Sequence, residues 1–200
     1  VAEVAEVTEV AEVAEVTEVA KWHPGHRPTL EVLPDILGKV LVHTVRGRRT
    51  SGVIVEAEAY IGQDDPACHA SKGLTPRTAP MFGPPGIAYV YLNYGLHNLI
   101  NVVTEPEGFP AAILIRALVP LEGIDTMRRR RGHVPDTRLC NGPGNLTQAL
   151  GITLRHNRAD LSTSAVRVED HGIPVDAAAF TPRIGIRVGT ERLWRAVTTL

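Results

Sequence analysis

The sequence predicts an α+β fold: one domain in which a mostly antiparallel sheet has helices set to one side. Three observations lead there. Strand-like runs come in adjacent pairs with turn residues between them, the mark of hairpins rather than crossovers. The helical segments are few and do not alternate with the strands. A chain of 200 residues, 44% of them hydrophobic, is long and apolar enough to bury one core.

The elements follow in chain order. Residues 1–18 are a nine-residue unit, VAEVAEVTE, written twice, with valine at every third position. Such a stripe drifts around a helix of 3.6 residues per turn and makes no stable seam. Residues 1–20 are therefore expected to form a low-complexity, disordered tail, and 21–200 the folded domain. Two units are too few for a solenoid. Pro24, Gly25 and Pro28 mark irregular chain. Thr29 can cap a short helix running towards Leu37, with Pro34 in its first turn and Gly38 at its end. Residues 39–45 and 52–60 read as two strands around the basic turn 46–50. Residues 62–85, rich in Pro, Gly, Asp and Thr, read as a long loop, and loops of that length are usually functional or disordered. Residues 87–93 and 97–104 form a second strand pair turning at Tyr94-Gly95, and 111–117 a further apolar strand. Helices are predicted over 120–131, with Pro120 near the start, and over 144–150, ended by Gly151. Residues 166–169 and 183–188 read as late strands.

Bulk properties narrow the function. No apolar run approaches the ~20 residues of a bilayer span, and the N-terminus lacks the basic and apolar stretches of a secretory signal. The two cysteines, Cys68 and Cys140, form no Cys-x-x-Cys pair, which argues against a disulfide framework or cysteine zinc site and for a cytoplasmic protein. The net charge of −1 hides an asymmetry: residues 1–20 hold six glutamates and no lysine or arginine, leaving +5 over the rest. A mildly basic body is compatible with phosphate contacts and equally with many enzymes. No P-loop, Gly-x-Gly-x-x-Gly or nucleophile elbow occurs.

The chemistry concentrates between Gly52 and Asn101, which holds all four tyrosines of a chain with only 4% aromatics. On the strand over 55–60, Glu56, Glu58 and Tyr60 share one face and Val55, Ala57 and Ala59 the other. Alternation alone leaves both a solvated face and a functional one open. Tyr89 and Tyr91 likewise share a face, as site or as ordinary sheet packing. Tyr94, at a hairpin turn, is a candidate wedge for DNA bases, since side chains inserted between base steps are an established device, or a ring folded back on its own hairpin. Asp64, Asp65 and His69, with Glu56 and Glu58, open a metal-hydrolase reading, although their spacing matches no zinc signature. Arg128–Arg131 suits either nucleic acid or the C-terminal end of a helix, where cations meet the dipole favourably.

An ordered series of short motifs then carries a resemblance. It runs from Glu56–Tyr60, Gly62 and His69 through Thr75-Pro76-Arg77, Met81-Phe82, Pro85-Gly86, Tyr89-Val90-Tyr91, Tyr94-Gly95 and Asn101. It continues through Leu114–Leu118, Pro120–Gly123, Met127-Arg128, Leu139-Cys140, Gly142-Pro143 and Gln148–Leu150. The series resembles the alkyladenine (3-methyladenine) DNA glycosylases of the mammalian type, which also occur in bacteria, over roughly Arg27 to Val188. Many separated motifs in one order are far more specific than any single pattern.

The resemblance implies a curved, barrel-like sheet with a β-hairpin that inserts into DNA, and a base-excision repair enzyme. Such an enzyme flips out alkylated or deaminated purines and hydrolyses the N-glycosidic bond. By resemblance Glu58 is the general base that activates water and Arg116 helps hold that water. Tyr60, His69 and Tyr91 sandwich the flipped base, with Leu114 in the pocket, and Asn101 obstructs the 2-amino group of normal guanine. Tyr94 fills the gap in the duplex with Met81 nearby, and Thr75 and Arg77 contact phosphates. The implied partner is double-stranded DNA containing damaged purines, the implied state a monomer, and no metal or organic cofactor is implied. Family members continue through a further strand and a Ser/Pro-containing segment whose backbone carbonyl helps hold the water. Trp194-Arg195 resembles its start and Ala196–Leu200 does not, so the domain is expected to be cut short at its C-terminus, with a frayed sheet or an incompletely held water. A lesion-binding protein of the same fold and a metal-dependent hydrolase are the alternatives.

Overall fold

The computed structural model describes residues 19–200; the repeat over 1–18, and the expectation that it is disordered, lie outside the described residues. Among the described residues nine strands form the sheet: β1 (Ala20–Lys21), β2 (Val40–Val45), β3 (Arg48–Ile61), β4 (Ala88–Asn93), β5 (His97–Val103), β6 (Ala111–Glu122), β7 (Val166–Asp170), β8 (Ala179–Thr181) and β9 (Arg195–Val197). Three helices accompany them: α1 (Thr29–Asp35), α2 (Ile124–Arg131) and α3 (Pro143–Leu150). The order is β1-β7-β2-β3-β6-β5-β4, with β9 joining β3 to β8. All pairings are antiparallel. The α+β expectation holds, with an open sheet rather than a closed barrel.

β3 organises the sheet. One edge pairs with β6 from Ser51 to Ile61. The other pairs first with β2, from Arg48 to Val53, and then with β9, from Glu56 to Glu58. Register shifts on either side of Glu56 cancel, so that two residues intervene on both strands between Ile54↔Leu118 and Ala57↔Ile115, and the side-chain alternation moves by one residue there. Ile54, Ala57 and Ala59 therefore all enter the main core, while Val55, expected there from strict alternation, is only half-buried. Glu56, Glu58 and Tyr60 are left on the opposite face. Period-2 alternation is regular in the neighbouring strands. Ala88, Val90, Ile100, Val102, Ile113 and Ile115 pack under α1 and α3, and the residues between them face the other way.

Several boundaries differ from expectation for physical reasons. Pro28, not Thr29, flanks α1. Thr29 is buried in the first turn, and the Glu105 carboxylate accepts from its N–H (2.6 Å) and hydroxyl (2.8 Å). A carboxylate there suits the positive helix end. The helix expected from Pro120 starts only at Ile124, because β6 runs on to Glu122 against Ser51 of β3. Pro120 is tolerated because β5 pairs with β6 only over residues 112–114, so its missing N–H faces no partner strand. Residues 183–188 are not a strand: Arg183 and Ile184 are drawn out of line by side-chain partners, and Gly185 turns at φ 77°. Ala20, assigned to the tail, begins β1 against Asp170. The C-terminal residues do not fray, since β9 is framed by Ala59 N–H to Trp194 O (2.8 Å) and Thr198 N–H to Val55 O (3.0 Å).

At the β7 edge, Glu169 is buried and accepts from Arg49 Nη2 at 2.9 Å, Arg167 Nε at 2.7 Å and the His171 ring at 2.8 Å. Burial alone would raise its pKa; the Arg49 and His171 contacts outweigh it and hold the carboxyl at about 2. A depressed carboxyl stabilises the fold fully above its unfolded value and loses that contribution as pH falls through the folded one. The urea midpoint should therefore drop steadily between pH 5 and 2, and Glu169→Gln should flatten that drop while lowering the midpoint at pH 7.

Candidate active site

The face of the sheet away from α1 holds a cavity of about 410 Å³. Tyr60 lines it from β3, Leu114 and Arg116 from β6, Leu99 and Asn101 from β5, and Tyr89 and Tyr91 from β4. Each pair sits two residues apart on its strand, so one sheet face supplies them all. The loop over 62–87 adds His69 and Met81, and Ile184, Gly185 and Ile186 close one side.

Glu58 lies beneath this cavity and is fully buried. Three groups donate to its carboxylate: the Tyr60 hydroxyl to Oε2 (2.9 Å), Arg116 Nη1 to Oε2 (3.3 Å) and the Ile184 N–H to Oε1 (2.7 Å). An ionised carboxylate only accepts, and every contact here donates. All three donor residues line the cavity, so anything replacing one of them on Glu58 arrives from the cavity. Arg116 is held by a second carboxylate: its Nε donates to Glu56 Oε1 at 2.8 Å, and Arg195 Nε of β9 donates to the same oxygen at 2.6 Å.

The aromatic groups are distributed unevenly. His69, Tyr89 and Tyr91 form one cluster, with the His69 and Tyr91 centroids 4.6 Å apart edge to face and the His69 Nδ1 hydrogen-bonded to the Tyr89 hydroxyl at 2.9 Å. Burial, with Arg77 nearby, pushes the His69 imidazole down to about 4. Tyr60 stands on β3, three strands from β4 in the sheet order, and reaches the same cavity. Burial first, and then the Glu58 carboxylate, push its phenol far above the usual value, so it stays a donor. Asn101 is buried and donates to the carbonyl of its cross-strand partner Tyr89 at 2.9 Å.

Tyr94 is 90% exposed at the tip between β4 and β5. Leu96 N–H closes the turn on Asn93 O at 3.0 Å, and Tyr94 and Gly95 both have positive φ, 49° and 72°, as a type I′ turn requires. Glycine takes this conformation freely; a tyrosine there is strained by about 1 kcal/mol or more. Leu96, 77% exposed beside it, is a second apolar tip residue that the sequence reading passed over. Met81, expected near Tyr94, is buried in the wall of the cavity that Tyr94 also lines. Thr75 and Arg77 are exposed on the loop, the Thr75 hydroxyl in a local turn with Thr78 and Arg77 over the Tyr91 ring at 5.3 Å.

The groups of the metal reading do not converge. Asp65 is paired with Arg183, His69 with Tyr89, and Glu56 and Glu58 with arginines. No group of three potential ligands gathers among the described residues. The Asp65–Arg183 pair was missed as a site feature. Both side chains are fully buried, with Nη1 to Oδ2 at 2.6 Å and Nη2 to Oδ1 at 2.8 Å. The guanidinium also donates to Ala59 O (2.9 Å) and lies over the rings of Tyr60 and Trp194.

The family model described as Methylpurine-DNA glycosylase (MPG) matches residues 25–199. The chain belongs to this family of DNA glycosylases. Relatives named "Putative 3-methyladenine DNA glycosylase" support the assignment. The one from Prosthecochloris aestuarii is 48% identical over 172 residues, 84% of this chain and 82% of the relative. The one from Sodalis glossinidius is 50% identical over 175 residues, covering 84% and 90%. The one from Methanocella arvoryzae is 48% identical over 176 residues, covering 84% and 86%.

Two outcomes follow from this geometry. Asp65→Asn leaves the Arg183 charge buried without its partner, and breaking such a pair costs about 3–5 kcal/mol; denaturant unfolding should register that loss. His69 should titrate near pH 4, not 6.5, when its ring protons are followed by NMR, and a midpoint above 6 would mean the cluster is open to water.

Proposed function

We propose that the protein excises alkylated or deaminated purines from double-stranded DNA, among them 3-methyladenine, 7-methylguanine, ethenoadenine and hypoxanthine. The damaged nucleotide is flipped into the cavity and its N-glycosidic bond is hydrolysed, leaving an abasic site. The observation that carries this reading is the buried Glu58 carboxylate, ringed by three donors beneath a tyrosine-walled cavity. The names of the relatives support the substrate class.

A base inside a duplex hides its glycosidic bond, so extrusion comes first, at a cost of a few kcal/mol that is lowest for damaged bases. Tyr94, already extended and exposed, occupies the gap, while Thr75 and Arg77 hold phosphates. An alkylated purine is cationic, and a cation against the faces of Tyr60 or Tyr91 gains ~0.5–2 kcal/mol. Leu114 packs on the base and Asn101 excludes the 2-amino group of guanine. Water enters over Arg116 and takes the place of one donor on Glu58. Glu58 removes its proton as the oxygen attacks the anomeric carbon through an oxocarbenium-like state, as in inverting glycoside hydrolysis. The C–N bond breaks with both electrons going to the base; a neutral lesion must first be protonated. Among the described residues no lysine lines the cavity, so no Schiff base forms and the enzyme is monofunctional. It works as a monomer.

The test is incubation, in chelator, with duplexes carrying a single ethenoadenine or hypoxanthine, followed by alkali. Wild type should give cleavage at the lesion. Glu58→Gln should slow excision by about 10²–10⁴-fold, the usual worth of a general base, and retain lesion binding; Tyr94→Ala should weaken binding. Cleavage by Glu58→Gln at the wild-type rate contradicts the assignment, and lesion-selective binding by wild type without cleavage would instead make the protein a lesion binder.

A further inference from the structure

We propose that a cleft walled by Arg46, Arg48, Arg129 and Arg130 is a second phosphate-binding site, which holds the DNA backbone away from the flipped nucleotide. The proposal rests on the reading that the cavity and Tyr94 engage a duplex. The cleft encloses about 460 Å³, and its remaining walls are Val45, Thr50 and Thr126, with no carboxylate among them.

The charge in this cleft is not neutralised by its surroundings. The carboxylates nearby are already committed to other arginines: Glu122 and Glu169 to Arg49, and Asp125 and Asp136 to Arg128. Among the described residues none of the four cleft arginines forms an ion pair, whereas both of those neighbours do. Local structure accounts for only part of the cluster. Arg130 Nη1 donates to Ala149 O at 2.9 Å and so serves the C-terminal end of α3. Burial, and then the charge of Arg129, lower the pKa of the Arg130 guanidinium. Arg129 only reaches its own helix, at Thr126. Arg46 and Arg48 flank the tip of the β2–β3 hairpin, where Arg46 and Gly47 both take positive φ, 50° and 74°. Arg46, Arg48 and Arg129 are exposed.

The topology places this cleft at the end of the sheet that carries the DNA-entering tip. β3 and β5 are both antiparallel to the strand between them, β6, so they run in the same direction. The turns that precede them, Arg46-Gly47 and Tyr94–Leu96, therefore lie at the same end of the sheet. β3 and β5 stand two inter-strand spacings apart, about 10 Å, and the register carries the β2–β3 turn about five residues, roughly 16 Å, beyond the β4–β5 turn, so the two turns lie roughly 19 Å apart. α3 gives an independent measure. Its first residue, Pro143, lines the cavity, and its last turn accepts a hydrogen bond from Arg130 of α2; eight residues span about 12 Å. A duplex bears about one charge per 1.7 Å of axis, so DNA entered by Tyr94 brings several phosphates within reach. Arginine is suited to them by its planar, bidentate fork.

The triple variant Arg46→Gln/Arg48→Gln/Arg129→Gln tests the site, with circular dichroism to verify the fold and the three single variants as the fallback. On an undamaged duplex the slope of log K against log salt should become shallower by about 2–3, at ~0.9 for each phosphate no longer neutralised. Each single variant should remove about 0.9, and Arg→Lys replacements should restore the slope. Binding to lesion-bearing duplex should weaken by the same factor as binding to plain DNA, with single-turnover excision at saturating duplex unchanged. A slope equal to that of wild type overturns the proposal, as it would if the cleft served an acidic protein or a free anion. Because the slope is read on undamaged DNA, failure of the glycosylase reading would appear separately, as absent excision by wild type.

Discussion

The buried pair of Asp65 and Arg183 is the constraint on which the site depends. Asp65 opens the long loop after β3, where it accepts from the N–H groups of Ile61 and Ala67. Arg183 lies 118 residues further on and binds it through both terminal nitrogens, and also binds Ala59 O of β3. One guanidinium therefore fastens together the strand that carries Glu58 and Tyr60, the loop that carries His69, and the segment whose Ile184 N–H meets Glu58. Two opposite charges without solvent access are favourable only when hydrogen bonds meet most of their polar atoms, as here. The exception is Arg183 Nε, which is buried without a partner.

The second constraint is the irregularity in β3. Two opposing register shifts around Glu56 let Ile54 share the core with Ala57 and Ala59, while Glu56, Glu58 and Tyr60 keep the opposite face. Under strict alternation Val55 would take the core place that Ile54 holds. The irregularity lies where β3 passes from pairing with β2 to pairing with β9, so the strand bends where its neighbour changes. β9 in turn brings Arg195 onto Glu56, and Glu56 orients Arg116. Site geometry, sheet irregularity and C-terminal packing are one connected arrangement.

Much of this was legible in the sequence, and the parts that were not share a cause. Strand pairs around Tyr94 and the shared face of Tyr89 and Tyr91 follow from period-2 alternation and turn residues, which are local signals. Glu58 and Arg116 were brought together by resemblance and are hydrogen-bonded, whereas the Tyr60 hydroxyl on Glu58 was not indicated. What stayed hidden depends on partners distant in sequence. The run Arg183–Ile186 alternates like a strand, yet Asp65 and Glu58 pull it into an irregular path. β6 continues through Pro120 because β3 is there to receive it. β8 and β9, three residues each, are too short for any periodicity to reveal. Met81 was placed near Tyr94 by resemblance, and its burial, set by the loop packing on the sheet, had no local signal.

The most direct test of the account is a crystal structure of Glu58→Gln bound to a duplex containing one ethenoadenine. The account predicts the lesion base in the cavity between Tyr60 and the His69–Tyr91 pair, with residue 58 beside its glycosidic bond and Tyr94 filling the vacated place in the stack. A lesion still stacked in the duplex over an empty cavity, or DNA bound on another face, would contradict it.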